Sequence, residues 1–244
     1  MNNDQSIESL KEQLYNVEIA YSWEHKGYGG KYDRLGIWGM AIFVGCSIFG
    51  FFWLVLDDFT VDTPMFWVAF ALMTMMVLIT RYLYFPDKHR CYHLTALGIH
   101  YTEQDMIPEV AYKIVRGFAW VGIVVCIIAV FLLGPLALVG AGAFALMSFG
   151  MTNFKPTVDK CCLFIDERSV VFNLVSDNVI SFTIPEKGQM GYKGLIFTST
   201  LEEKQALLNN LYSLFHELEV VKIKRLNDQF KHSIYQRDEE SATE

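Results

Sequence analysis

Residues 117–154 contain no Asp, Glu, Lys, Arg or His. A run of that length without charge excludes a solvent-exposed helix, and it is too long for one buried strand. Residues 35–56 and 65–80 lack charge in the same way. An excess of basic charge is also missing: the net charge is −7, which excludes nucleic acid as the main partner, since phosphate binding needs a basic face. Paired cysteine spacing is absent. Cys46, Cys91, Cys126, Cys161 and Cys162 are odd in number and irregular, so no disulfide framework is expected. Residues 1–30 have no apolar core of the secretory type, so no cleavable signal is expected and the first apolar segment should direct insertion.

Local catalytic signatures are missing too. There is no Gly-x-Ser-x-Gly, no His-Glu-x-x-His and no Ser followed three places on by Lys. Residues 25–31 resemble a phosphate loop only in glycine content, because His25 stands where the pattern needs Gly and Tyr32 follows the lysine. They are expected to be a linker. No cofactor is expected.

What is present is apolar surface in blocks. Hydrophobic residues make up 52% of the chain, aromatic residues 15%, and the mean hydropathy is +0.26. The blocks predict four spans of about 20 residues each, at 35–56, 65–85, 117–133 and 135–151. As one straight helix, residues 117–154 would be about 57 Å long, nearly twice the hydrocarbon thickness, so Gly134-Pro135 is the expected break. Trp38, Trp53, Trp67 and Trp120 stand near span ends, where indoles favour the lipid interface. Arg81 and Arg116 are expected at the same level, Arg81 snorkelling to headgroups. Ala41 and Gly45 form one small-residue pair for helix contact, and Ala137, Ala141 and Ala145 form a second stripe.

The polar remainder divides by side. Neither the acidic connection at 57–64 nor the turn at 134–135 carries Lys or Arg. The basic residues fall in or beside 1–34, 86–116 and the region after 156, which predicts that all three lie in the cytosol. The N-terminal segment reads as an amphipathic helix over 4–21, then a linker. Residues 86–116 read as a β insert. Strands are expected at 161–166, 170–176, 179–184 and 192–198, then a helix opened by the capping pattern Thr200-x-x-Glu203 and running through Val221. Residues 236–244 read as a disordered tail.

The expected architecture is a membrane α + β protein. A four-transmembrane-helix bundle carries a composite cytosolic β-rich domain of about 5–7 strands, closed by a C-terminal amphipathic helix within 156–235. His89, Cys91 and His93 alternate, and Cys161 and Cys162 could join them, which suits zinc chemistry. Packing cysteines and surface histidines are the preferred reading, so no metal is assigned. The expected function is a non-catalytic adaptor, sensor or regulatory subunit in the bacterial inner membrane, both termini cytosolic. It would contact the lipid bilayer, a cytosolic protein and a second copy of itself. The alternative is a subunit of a small homo-oligomeric channel or pore.

Overall fold

The computed structural model describes residues 3–30, 32–56, 59–134, 146–184 and 193–235. Four strands pair antiparallel in chain order as sheet A: β1 (Ile19–Gly27), β2 (Lys88–Thr95), β3 (Gly98–Asp105) and β4 (Val158–Phe164). Alternation sends Trp23, Tyr92, Leu94, Ile99 and Leu163 into the core and the residues between them to the other face. The β2–β3 hairpin turns over Ala96-Leu97. Gly98 sits at φ +142°, and a Cβ there would strike the carbonyl of Leu163. Only glycine suits both constraints.

Sheet B has the order β7-β6-β5-β8, built from β5 (Val170–Leu174), β6 (Val179–Thr183), β7 (Gly194–Phe197) and β8 (Glu219–Ile223). Val171, Ile180, Phe182 and Ile196 face sheet A's apolar side, and Leu207, Leu208 and Leu211 of a helix, Leu201–Leu214, complete the same core. The opposite side of sheet B buries Val170, Phe172 and Leu174 with Ile223 and Ile234. β5 is therefore apolar on both faces, as a strand inside two layers must be.

The helices leave sheet A from one end. Gly27 pairs with Lys88, and between them run α2 (Asp33–Val55) and α3 (Pro64–Ile79). Gln104 pairs with Val158, and between them the chain goes out through α4 (Glu109–Leu133) and comes back. Each excursion thus starts and ends at neighbouring strand termini. The helix ahead of β1 is α1 (Asn3–Asn16), so Leu201–Leu214 is α5. Among the described residues, three helical segments are long and apolar enough to cross a membrane: Asp33–Val55, Pro64–Tyr84 and Glu109–Leu132.

Several sequence expectations change. The N-terminal helix stops at Asn16, and the expected linker instead contributes His25, Lys26 and Gly27 to β1. Trp23 and His25 alternate inward there, a two-residue period hidden among glycines and charges. The C-terminal helix stops at Leu214 rather than running through Val221. Val220, Val221 and Ile223 are β-branched, and they complete a parallel ladder on the edge of β5. The described residues hold eight strands, more than the five to seven expected. Among these residues α2 packs along α3, while α4 meets the returning chain where Tyr112 and Phe154 lie 4.8 Å apart. Gly134 ends α4 at φ +77°, its N–H donating to Val130 O. Residues 146–151 are helical; Ala137, Ala141 and Ala145 lie outside the described residues.

Candidate functional site

The outward face of sheet A is polar. Its register sets Glu24 opposite Cys91, His93 opposite His100, and His100 opposite Cys162. α1 lies over one half of this face. Tyr15 stacks on the His100 ring at 4.6 Å, and its hydroxyl donates to the Cys161 carbonyl at 3.3 Å. Lys160 sits 5.8 Å over the Tyr15 ring. Burial, and secondarily His93, push the His100 pKa down to about 4. The other half is open and carries Glu24, His89 and Cys91.

The structure divides the cysteine–histidine set accordingly. His89 and Cys91 stay together and gain Glu24. His93 turns to His100, with ring centroids 5.0 Å apart. Cys162 lies beneath α1, while Cys161 faces the other way, toward Tyr101. Sequence reasoning missed Glu24. Alternation on β2 was visible, but nothing in the chain said which strand would lie beside it.

A second feature is a cleft of about 930 Å³ at the seam between the β domain and the helices. His25, Tyr28, Arg34, Asp87, Asp177 and Glu202 are among its lining. Its walls come from the end of β1, the start of α2, the β5–β6 turn and the N-terminus of α5. Behind it Arg90 is buried, bonded to Glu103 at 2.6 Å and to the Tyr28 carbonyl at 3.2 Å, and lies 4.7 Å over the Phe197 ring. Burial alone would raise the Glu103 pKa, but hydrogen bonds from Lys88 and Arg90 outweigh it and hold the carboxyl below its usual range. Burial, reinforced by Arg90, lowers the His25 pKa.

Two anchors shape the walls. Lys204 is buried and donates to the Leu174 carbonyl and, at 2.7 Å, to the Asp177 carbonyl. It ties α5 to the β5–β6 turn, and burial lowers its pKa to about 8. Thr200 accepts the Glu203 N–H at 3.1 Å, and the Glu203 carboxylate accepts the Ser199 N–H at 2.6 Å. That is a reciprocal cap shifted by one residue.

The sequence-derived interface residues separate into two groups. Trp53, Trp67 and Trp120 are exposed on the helices, Trp67 donating to the Val61 carbonyl at 3.0 Å. Arg116 is half-buried, bonded to the Tyr112 carbonyl. Arg81 does not snorkel. It is 4% exposed in a π-turn, Thr80–Tyr84, bonded to Asp87 at 2.7 Å and to the Phe85 carbonyl at 2.9 Å. Trp38 is half-buried against it, with the guanidinium 5.6 Å from the ring. The acidic partner six residues on, brought round by the π-turn, turns the side chain inward. Ala41 and Gly45 are buried in α2. A Cβ at Gly45 would meet Val77 and lie 3.1 Å from the Met73 carbonyl, so the small residue lets α3 approach.

A β domain with a polar open face and a loop-walled cleft offers surfaces to another macromolecule. Similarity to known proteins gives the class, immunity proteins. The chain belongs to the family described as TsiV2 immunity protein, whose model matches residues 1–242. It is 36% identical over 234 residues to the immunity protein TsiV2 of Vibrio cholerae serotype O1 (strain ATCC 39315 / El Tor Inaba N16961), covering 95% of this chain and 96% of that one. No solved structure matches.

This relationship corrects the expected function. The adaptor, sensor or regulatory-subunit role, the channel alternative, and the description as a multi-pass membrane adaptor or oligomer give way to immunity. The physical reason is that apolar blocks report where a chain is held. Recognition of a partner resides in surface complementarity, which leaves no periodicity to read.

Proposed function

We propose that this chain protects the cell that makes it by binding a toxin in the cleft between its β domain and its helices. The observation that carries this reading is the extent of the relationship: it covers 95% of the chain and 96% of the relative, helices and β domain together. The cleft is the preferred surface because loops on a rigid scaffold commonly carry recognition, and several elements converge there.

Within the same proposal, α2, α3 and α4, together with the return crossing before β4 that an even count requires, hold the protein in the bacterial inner membrane with both termini cytosolic. Support comes from three helical segments of spanning length and from the large apolar side chains they leave uncovered, such as Phe43, Leu54 and Phe131. The shared end of sheet A from which both excursions depart suits a domain on one side. So does the distribution of Lys and Arg.

The test is a competition between siblings. Cells lacking this gene, grown against their toxin-bearing parent, should be killed, and the wild-type chain should restore survival. The paired reversal Lys26→Glu with Glu202→Lys alters two exposed cleft residues. It should abolish protection at unchanged membrane abundance. Full protection by that variant would refute the cleft assignment, and survival of the deletion strain would refute the immunity role. Tags on the two termini, probed for protection from external protease, would test the orientation separately.

A further inference from the structure

The open half of sheet A's outer face brings three different donor types together. Glu24 lies opposite Cys91 in the β1–β2 register, and His89 sits two residues before Cys91 on the same face. The Glu24 Oε2 to His89 Nε2 distance is 3.1 Å, and Cys91 Sγ lies 3.6 Å from the same nitrogen. One ligand atom from each residue lies within 4.8 Å of the other two.

These separations can be set against coordination chemistry. Zinc holds imidazole nitrogen at about 2.0–2.1 Å, carboxylate oxygen at about 2.0–2.2 Å and thiolate at about 2.3 Å. Around a tetrahedral centre those bonds place N and S about 3.6 Å apart, and N and O about 3.3–3.5 Å apart. The His–Cys distance already has the first value, and the Glu–His distance falls a few tenths of an ångström short of the second. Side-chain rotation of an exposed glutamate closes that difference without moving the backbone.

The scaffold helps. Two donors stand on one strand and the third on its hydrogen-bonded neighbour, so their Cβ atoms are held before any ion arrives. His93, next on the face, is engaged with His100 and does not join the set. Lys26 reaches Glu24 only at 3.9 Å, a weak exposed pair that an ion would displace.

We propose that Glu24, His89 and Cys91 form a binding site for a divalent cation of the zinc type, with a fourth position open to water or to an outside ligand. The mixed nitrogen, sulfur and oxygen set suits zinc, whereas magnesium and calcium take oxygen alone. Binding releases the Cys91 thiol proton to solvent, leaves His89 as neutral imidazole, and uses Glu24 as carboxylate. No electron is transferred. The site faces away from the core, so the ion stands at the protein surface.

The test uses the reduced, full-length protein in detergent, with Co²⁺ alone as the probe. One equivalent should produce the visible bands of four-coordinate cobalt and a thiolate-to-cobalt charge-transfer band, both erased by added Zn²⁺. Cys91→Ser should lose the charge-transfer band, and His89→Gln should lose stoichiometric binding. Cys162→Ser, on the same face but beneath α1, should keep both signals. Near-UV circular dichroism of each variant confirms retained packing. A wild-type protein that shows no charge-transfer band, or a band that persists in Cys91→Ser, would overturn the proposal. Neither result bears on whether the chain confers immunity.

Discussion

Single buried cations show how this chain uses charge. Lys204 has no carboxylate in bonding distance among the described residues; its ammonium is held by carbonyl oxygens of the β5–β6 turn. Its pKa, about 8, lies below the ordinary lysine value of 10.5. Between those values the unfolded chain binds more protons than the folded one, so stability should rise as pH increases from 8 to 10.5. Lys204→Met should flatten that rise, read as the difference between urea midpoints of variant and wild type across the range. Arg81 presents the opposite case, a guanidinium with a carboxylate, a carbonyl and an indole around it. Arg81→Met should cost about 2 kcal/mol, because Asp87 loses its partner and the Phe85 carbonyl loses its donor. Arg81→Lys should recover little, since an ammonium lacks the fork that spans both acceptors. Thermal unfolding in detergent would measure both.

At the scale of elements, helix contacts were more legible than strand partners. Ala41 and Gly45 stand four residues apart, a spacing visible in any window of the chain, and at Gly45 α2 meets Met73 and Val77 of α3. Gly45→Leu should therefore cost about 1–3 kcal/mol by forcing the helices apart. Gly39→Leu, on the same helix with nothing within 4 Å of its Cβ position, should be nearly neutral. Equal thermal shifts for the two variants would count against this contact. β1 was not legible: its apolar residues are few, and its last residues, Lys26-Gly27, run on into Tyr28-Gly29-Gly30, whose glycines suggest a linker. It becomes a strand because β2 offers an open edge and Trp23 finds Tyr92 at 4.9 Å. In sequence, β8 reads as the end of a helix for a related reason. Leu207, Leu211 and Leu214 set a helical period, and only the edge of β5 calls Val220 and Val221 into a ladder.

For the whole molecule, the two sheets share one core although their strands are separated by the helices. Ile180, Phe182, Ile196, Leu207 and Leu211 pack against residues from sheet A. Burying each contributes about 1.5–3 kcal/mol, and an entire domain is stable by only about 5–15 kcal/mol. A fragment of residues 156–235, lacking β1 to β3, should not unfold cooperatively in urea. A sharp two-state transition from that fragment would show that the sheets are independent. The arrangement also makes the cleft a joint product, since one wall follows β1 and another belongs to the β5–β6 turn.

The sequence by itself determined where the chain is apolar over helical lengths, where its basic residues cluster, and where several strands and helix caps begin. These are properties of composition and short spacing, so each can be judged from a window of the chain. Only the tertiary structure decided that residues 19–27 are a strand, that Arg81 turns inward, and that Glu24 stands beside His89 and Cys91. Each of those depends on a neighbour brought up by register or by a π-turn, and pairing between distant strands is set by the packing of the whole core rather than by local preference. Membership of the immunity family lay beyond both the periodicities and the motifs, because the shape and charge of an assembled surface leave no local spacing to read.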